Sequence, residues 1–376
     1  MAVRSVRDIP TLHNIPVLVR AATNVPLRDG KVESAFRLKR MLPTIEFLVA
    51  RGAKVIIAGH LGRTDTATLR PVFDELVRMI PRISFCDEAV GARAREAARA
   101  LHPGEVLLLE NLRRYKGEEA NDPAFAAELA SIADVFVQDS FDALHRAHAS
   151  IVTVPTLLPS YAGFLFEEEV YELTRALTPQ SPSLAVVSGV KFDTKAPVLK
   201  KLLSLYDHVF VGGAIANDLL QASGVSVGAS LTSHTDTAFL KPVLDSTHLV
   251  LPKDAVARSS DTSTRMVPVT QIAAHESIVD IGPETIAHLA ALAASAKTVL
   301  WNGPLGIFEE GFATGTDLFA RALAASSAHA IVGGGDTVAA IEQAHLEDAY
   351  AFVSTGGGAM LEFLAEGTLP GIRALG

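Results

Sequence analysis

Short apolar runs rich in Val, Ile and Leu recur along the chain, and each run ends at a glycine or a polar residue. They begin at residues 17, 55, 106, 135, 184, 209, 249, 299, 331 and 352. Apolar and polar residues do not alternate within a run, which is typical of strands that are buried on both faces. Helix-like segments separate most runs, such as 43–51, which opens at Pro43 and is followed by Gly52, and segments that open at Pro123 and Pro283. This alternation predicts an α/β protein with doubly wound parallel sheets.

The length of the chain predicts two domains. It has 376 residues, and domains usually contain about 100–200 residues. An acidic segment at 167–169 runs into a Pro/Ser stretch at 179–182, where we place the break. We predict an amino-terminal domain at 1–165, an interdomain helix or hinge at 166–182, a second domain at 183–358, and a carboxy-terminal segment at 359–376.

Composition limits the partners and the cellular compartment. Lys and Arg total 33 against 42 Asp and Glu, a net charge of −9, which argues against nucleic acids and anionic membranes as partners and requires any anion site to be local. No leader-like or membrane-spanning apolar run occurs in the sequence. Cys86 is the only cysteine and follows an apolar stretch, as a buried thiol in a reducing compartment would. We therefore predict a cytoplasmic protein.

The residues that follow the apolar runs differ between the two halves of the chain. Ligands bind beyond the carboxyl ends of parallel strands. In the first half these positions are rich in basic side chains, and the candidates are Arg20, Asn24, Arg37, His60, Arg63, Arg113, His145, Arg146 and His148. Guanidinium groups match carboxylate and phosphate oxygens, so convergence of these residues would suit a small ligand carrying both groups. Any single arginine could instead be a solvated surface residue, and His145 with His148 could be a metal pair at helical spacing.

In the second half the equivalent positions are rich in glycine. Glycine runs at 333–335 and 356–358 each precede a helix-like segment, where backbone N–H groups can approach phosphate oxygens. The alternative is two tight turns without a ligand. Asp336 could hold Mg²⁺ or cap a helix. Lys191 and Lys195 could both reach one polyphosphate or lie on a solvated helix face.

The loop at 301–309 combines turn residues, apolar residues and Glu309. It would suit a purine between apolar walls with Glu309 on the ribose, or it is simply a structured loop. Neither G-x-x-x-x-G-K-[ST] nor G-x-G-x-x-G occurs, so the Walker and dinucleotide-binding classes are unsupported and an NAD dehydrogenase ranks last.

Several strings, taken in order, resemble those of phosphoglycerate kinases over nearly the whole chain. They include His60-Leu61-Gly62-Arg63, Glu110-Asn111-Leu112-Arg113, His145-Arg146-Ala147-His148-Ala149-Ser150, Trp301-Asn302-Gly303-Pro304, Gly333-Gly334-Gly335-Asp336-Thr337 and Ser354-Thr355-Gly356-Gly357-Gly358. The resemblance implies two Rossmann-like domains hinged about a central cleft, with the carboxy-terminal segment returning to the amino-terminal domain. It also implies a monomeric glycolytic kinase that reversibly transfers the acyl phosphate of 1,3-bisphosphoglycerate to Mg·ADP, giving ATP and 3-phosphoglycerate.

The resemblance also implies roles for individual residues. The amino-terminal domain would bind phosphoglycerate and the second domain the nucleotide. The implied acceptor-binding residues are Arg20, Asn24, Arg37, His60, Arg63, Arg113 and Arg146. The implied catalytic residues are Arg37, Lys191, Gly334 and Gly357, and the implied Mg²⁺ ligand is Asp336. The implied nucleotide-binding residues are Gly189, Lys191, Lys195, Gly213, Asn302, Pro304, Ile307, Glu309, Gly335, Asp336 and Thr337.

This sequence departs from the family pattern near the acceptor. Ala22 stands where the family has an aspartate that contacts the phosphoglycerate hydroxyl, and Gln138 and Asp142 replace the usual Asn and Gly. Losing a hydrogen bond to a charged acceptor costs about 1.5–3 kcal/mol, so we expect an active enzyme with weakened recognition of the hydroxyl. The alternatives are a non-catalytic nucleotide-binding scaffold or regulator, and a kinase that acts on a different acyl phosphate.

Overall fold

The structure is a computed structural model, and it describes residues 3–233 and 237–376. The chain divides into two compact units. The amino-terminal unit comprises Met1–Tyr171 with Thr368–Gly376, and the carboxy-terminal unit comprises Glu172–Gly367.

The strands, in chain order, are β1 (Pro16–Ala21), β2 (Leu27–Arg28), β3 (Lys31–Val32), β4 (Lys54–Ala58), β5 (Ile83–Phe85), β6 (Val106–Leu108), β7 (Val135–Asp139), β8 (Ser160–Ala162), β9 (Ser183–Ser188), β10 (His208–Gly212), β11 (Leu249–Val250), β12 (Asp254–Arg258), β13 (Thr264–Pro268), β14 (Ser277–Ile281), β15 (Thr298–Asn302), β16 (His329–Gly333) and β17 (Phe352–Val353).

The α-helices, in chain order, are α1 (Phe36–Ala50), α2 (Arg70–Leu76), α3 (Ala92–Ala100), α4 (Lys116–Glu119), α5 (Pro123–Ala130), α6 (Val154–Leu157), α7 (Phe164–Ala176), α8 (Phe192–Leu203), α9 (Gly213–Ala222), α10 (Thr237–Leu244), α11 (Pro283–Ser295), α12 (Thr314–Ala324), α13 (Gly335–Gln343), α14 (Gly358–Glu366) and α15 (Pro370–Leu375).

Each unit is built on a six-stranded sheet whose neighbouring strands are all parallel. The strand order is β5-β6-β4-β1-β7-β8 in the amino-terminal unit and β11-β10-β9-β15-β16-β17 in the carboxy-terminal unit. This confirms the prediction of two doubly wound parallel sheets.

Strand β1 illustrates why its apolar run does not alternate. Leu18 packs in one buried cluster with Ile56 and Phe136, whereas Val17 and Val19 belong to a second cluster. Successive side chains of a strand point to opposite faces of the sheet. Both faces are therefore covered by apolar groups, and an apolar residue is favoured at every position.

Two features differ from the sequence-based expectation. Helix α1 begins at Phe36, and Pro43 lies inside it, because Leu38 and Met41 extend its buried face toward the amino terminus. An antiparallel sheet in the order β13-β12-β14 was not expected. Its strand β13 buries Val267 and exposes its other residues, so no continuous apolar run marks it.

Three smaller observations complete the fold. Cys86 is a buried free thiol, as expected. Among the described residues, no helix has the length and apolar character needed to cross a membrane. Gly371, just inside α15, donates its backbone N–H to the carbonyl of Leu144 at 2.9 Å, which ties the end of the chain to the amino-terminal unit.

Candidate active site

Arg20 and His60 meet at the carboxyl edge of the amino-terminal sheet. Arg20 pairs in register with Ala58 of β4, two residues before His60. Arg20 Nη2 lies 3.0 Å from His60 Nδ1. Arginine has only donors, so Nδ1 accepts and the imidazole proton lies on Nε2. Burial and the nearby charge of Arg20 hold the pKa of His60 well below its usual range, so near pH 7 this histidine is neutral and offers one N–H donor.

A buried chain of hydrogen bonds fixes the Arg20 side chain. Its Nε donates to Ser150 Oγ at 2.9 Å and its Nη1 to the carbonyl of Ala21 at 2.8 Å. Ser150 in turn donates its Oγ–H and its backbone N–H to the Glu118 carboxylate, at 2.6 and 2.9 Å. Sequence reasoning missed Glu118 because the charged segment of α4 resembles an exposed surface, yet Glu118 is fully buried.

The loops after β1 and β4 bring three more candidates together. The backbone N–H of Gly62 donates to Asn24 Oδ1 at 3.0 Å. Arg37, in the first turn of α1, donates to the Asn24 carbonyl. Arg63 follows Gly62 directly and is exposed. These contacts link the Asn24 loop to the backbone that carries Arg63.

Arg113 and Arg146 add positive charge to the same unit. Arg113 is buried and ion-paired with Glu119, and burial together with the charge of Arg146 lowers its pKa. Burial, followed by the charges of Arg113 and Arg146, lowers the pKa of His148 to about 4. Positive charges that lie close enough to lower the pKa of their neighbours favour binding of an anion. We call Arg20, Asn24, Arg37, His60, Arg63, Arg113 and Arg146 the basic cluster.

The metal interpretation of His145 and His148 is not supported. The two residues lie in a turn and an extended segment, so their spacing is not helical as the sequence suggested. Within residues 3–233 and 237–376, no group of three or more His, Cys, Asp or Glu side chains could hold a metal ion.

The carboxy-terminal unit contains a cavity of about 640 Å³, which we call the glycine cavity. Its walls include residues that follow β9, β10, β15, β16 and β17, together with residues of β12 and β14. The sequence-predicted residues that line it are Gly189, Lys195, Gly213, Asn302, Pro304, Ile307, Glu309, Gly334, Gly335, Asp336, Thr337 and Gly357. Lys191 does not line the cavity; it is exposed at the start of α8.

Close backbone contacts explain two of the glycines that line the cavity, Gly213 and Gly303. Gly303 has φ +103°, and a Cβ atom there would lie 2.1 Å from the Ser188 carbonyl oxygen. Gly213 has φ +66°, and its Cβ would lie 2.7 Å from the Gly189 carbonyl oxygen. Only glycine combines this conformation with such a close approach.

Lys195 and Asp336 provide the charges of the cavity. The Lys195 ammonium donates to the Ser188 carbonyl, and to Asn302 Oδ1 at 3.2 Å. Burial lowers its pKa to about 8, although the charge of Asp336 acts in the opposite direction. Asp336 is exposed in the first turn of α13, whose cap residue is Gly334. The capping alternative for Asp336 is therefore wrong.

The family model described as phosphoglycerate kinase matches residues 6–367. The chain belongs to the phosphoglycerate kinase family. Curated phosphoglycerate kinases from Moorella thermoacetica and Thermus thermophilus are 42% and 43% identical to it. The matches cover 100% and 96% of this chain, and 99% and 96% of those relatives.

Solved structures of phosphoglycerate kinases also resemble this chain. The phosphoglycerate kinase from Coxiella burnetii is 38% identical, with a TM-score of 0.85 over 100% of this chain and 99% of that one. The enzyme from Pyrococcus horikoshii is 30% identical, with a TM-score of 0.90 over 99% and 98%.

Phosphoglycerate kinase activity follows from this membership. The chain is a phosphotransferase with a carboxyl group as acceptor, it serves glycolysis, and its co-substrate is Mg·ADP or Mg·ATP. It reversibly transfers the acyl phosphate of 1,3-bisphosphoglycerate to ADP. The non-catalytic scaffold is thereby set aside.

Ala22, one of the positions that depart from the phosphoglycerate kinase pattern, is buried. Ala22 has no exposed surface, and neither does its neighbour Thr23. The Thr23 hydroxyl donates to the His60 carbonyl at 2.9 Å. The methyl side chain of Ala22 offers no acceptor for a substrate hydroxyl.

Proposed function

We propose that the basic cluster binds 1,3-bisphosphoglycerate and 3-phosphoglycerate and that the glycine cavity binds the Mg·nucleotide. The observation that carries this proposal is the glycine cavity, because residues spread from 189 to 357 in the sequence line one space of about 640 Å³. That volume is within the range of about 300–1,000 Å³ for small-molecule sites.

On the acceptor side, the chemistry of the basic cluster supports binding of a carboxylate and a phosphate. Arginines supply several N–H donors each. The neutral imidazole of His60 adds a donor at Nε2 without adding a further charge. We assign Arg37 to the transferring phosphoryl group, because it lies at the start of α1 against the Asn24 loop.

On the nucleotide side, helices α13 and α14 each begin among the glycines that line the cavity. Their first backbone N–H groups suit phosphate oxygens. We assign Lys195 to the phosphate chain, Lys191 and the backbone of Gly334 and Gly357 to the transferring group, and Glu309 to the ribose. The exposed carboxylate of Asp336 supplies the oxygen ligand that Mg²⁺ prefers when it arrives bound to a nucleotide.

These assignments fit the demands of phosphoryl transfer. The reaction needs positioning and stabilisation of developing negative charge, and it needs no nucleophile from the protein. The carboxylate of 3-phosphoglycerate is itself the nucleophile in the direction that consumes ATP. The charged donors of the basic cluster and of Lys195 meet the electrostatic demand.

Two exposed residues provide a test that does not disturb folding, namely Arg63 and Glu309. We expect Arg63→Ala to raise the KM for the acceptor about tenfold or more, the effect of losing one charged hydrogen bond, and to leave the Kd of Mg·ADP unchanged. Glu309→Ala should weaken Mg·ADP and leave the acceptor KM unchanged. Arg78→Ala and Glu366→Ala, at exposed positions, serve as matched controls. Equal effects of both variants on both ligands would refute the division of roles.

We also propose that the enzyme is a cytoplasmic monomer. The buried thiol of Cys86 and the net charge of −9 support a soluble protein in a reducing compartment. Light scattering after gel filtration should give a mass near 39.8 kDa, and a mass twice as large would refute the monomer.

A further inference from the structure

We propose that Asp142 recognises the hydroxyl group of the acceptor, at the edge of the sheet where Ala22 offers no hydrogen-bond acceptor. This inference rests on the proposed binding of the acceptor by the basic cluster. It replaces the expectation, drawn from Ala22 alone, that recognition of the hydroxyl is simply weakened.

The topology places the two positions at the same edge of the sheet. Strand β1 lies beside β7, with Arg20 opposite Gln138 and Ala21 opposite Asp139. Ala22 directly follows β1, and Asp142 lies three residues after the end of β7, in the short 3₁₀ turn Phe141–Ala143. The carboxyl ends of neighbouring parallel strands meet at one edge, so Asp142 can serve a ligand that Ala22 cannot.

The charge of Asp142 acts on the basic cluster. Burial lowers the pKa of Arg20, and the charges of Glu118 and Asp142 act in the opposite direction. Burial and Arg146 lower the pKa of His145, and Asp142 again opposes them. Asp142 therefore lies within electrostatic reach of the group that anchors the proposed acceptor site.

Asp142 also has an unused hydrogen-bonding capacity. Its Oδ1 atom is buried and has no hydrogen-bond partner among the residues that the structure describes, while the side chain as a whole is partly exposed. A buried carboxylate oxygen without a donor is unfavourable. Rotation about the terminal torsion of the side chain has a low barrier, so a ligand that reaches the carboxylate can supply the missing donor.

Gln138 provides a hydrogen-bond donor that complements the acceptor oxygen of Asp142. Its Oε1 accepts from the backbone N–H and the hydroxyl of Ser140, at 3.3 and 3.0 Å. These two bonds set the orientation of the amide, and its Nε2 is likewise buried without a partner in the described part of the chain. Among the described residues, Gln138 Nε2 thus has no acceptor to bond and Asp142 Oδ1 has no donor to bond.

A hydroxyl group satisfies both needs, because it donates one hydrogen bond and accepts others. The arginines of the basic cluster and the Nε2–H of His60 are donors only, so they suit the carboxylate and the phosphate but cannot accept the proton of a hydroxyl. 3-Phosphoglycerate carries one hydroxyl between its two anionic groups. We assign that O–H to Asp142 and one of its lone pairs to Gln138 Nε2.

The test compares two acceptors in the direction that consumes ATP. One is 3-phosphoglycerate, and the other is 3-(phosphonooxy)propanoate, which differs only in lacking the hydroxyl. Initial rates are measured for the wild type, Asp142→Gly, Asp142→Asn, and Asp142→Gly combined with Ala22→Asp. Asp74→Ala, at an exposed position of α2 in the same unit, is the matched control. Thermal unfolding establishes that each variant is folded.

We expect Asp142→Gly to lower kcat/KM for 3-phosphoglycerate roughly 10- to 100-fold, chiefly through KM, as loss of a hydrogen bond to a charged group would. The hydroxyl-free acceptor should change less than about threefold, because it never makes that bond. Asp142→Asn should lose less than Asp142→Gly, and the added Ala22→Asp should restore much of the preference for the hydroxyl.

Two outcomes would overturn the proposal. Equal losses with both acceptors would mean that Asp142 acts as a counter-charge that holds Arg20 and His145. An unchanged preference for the hydroxyl in Asp142→Gly would mean that Asp142 does not touch the acceptor. In the second case, the proposed acceptor site would still be supported if the enzyme used the hydroxyl-free acceptor and Arg63→Ala weakened that use. Failure of this proposal and failure of the proposed acceptor site are therefore distinguishable.

Discussion

The hydrogen-bond chain behind Arg20 predicts the effect of Glu118→Gln. Glu118 is fully buried and accepts both the backbone N–H and the hydroxyl of Ser150, and the Ser150 hydroxyl accepts from Arg20 Nε. Glutamine has nearly the same shape but only one oxygen acceptor. One of the two bonds to Ser150 is therefore lost, and the amide N–H₂ group of the glutamine faces a Ser150 donor. The negative charge that acts to raise the pKa of Arg20 also disappears.

The expected magnitude follows from these contacts. Loss of one hydrogen bond to a charged group costs about 1.5–3 kcal/mol. The amino-terminal unit contains about 180 residues, and in domains of that size each kcal/mol lowers Tm by about 2–4 °C. We expect the unfolding transition of this unit to fall by roughly 3–12 °C. Because Arg20 is less firmly held, we also expect a higher KM for 3-phosphoglycerate and an unchanged Kd for Mg·ADP.

Calorimetry and steady-state kinetics test this prediction. Glu128→Gln is the matched control, since it removes the same charge from the exposed Arg95–Glu128 pair, and such pairs contribute only about 0.2–1 kcal/mol. The contrary result is that Glu118→Gln changes Tm no more than this control and leaves the acceptor KM at the wild-type value. That result would show that the hydrogen bonds through Ser150 are not what holds Arg20.

Three further predictions concern Gly303 and Lys195 of the glycine cavity and His148 of the amino-terminal unit. Gly303→Ala should abolish Mg·ADP binding measured by calorimetric titration, because its Cβ would lie 2.1 Å from the Ser188 carbonyl oxygen; wild-type affinity would refute this. The folded pKa of His148, about 4, lies below its ordinary value of 6.5, so the unfolded chain binds more protons between these values and Tm should fall on acidification through this window. His148→Gln should make that fall less steep, and an unaltered slope would count against the assignment. Lys195 has a pKa of about 8, so it loses its positive charge above pH 8 and the Kd of Mg·ADP should rise. Lys195→Arg, which stays charged, should remove that rise, and a rise that persists in this variant would contradict the role of Lys195.

Much of the architecture could be predicted because its signals are local. A strand buried on both faces needs apolar side chains at successive positions, so β1, β9 and β15 are visible in the sequence as continuous runs. The sheet formed by β12, β13 and β14 was missed because polar residues interrupt its apolar runs, at the exposed positions of β13 and at Asp254 and Arg258 of β12. The start of α1 was misjudged because Pro43 resembles a first helical residue.

The sequence by itself determined the fold class, the family and the set of candidate residues, because strand periodicity, glycine runs and short motifs are properties of neighbouring positions. Only the tertiary structure decided what those residues do to one another. Arg20 meets Ser150 across 130 positions of the chain. Burial gives significance to the carboxylate of Glu118 and to the Asp142 oxygen that has no partner among the described residues. Hydrogen bonding and desolvation depend on distances between residues remote in sequence, and those distances exist only once the sheets have formed.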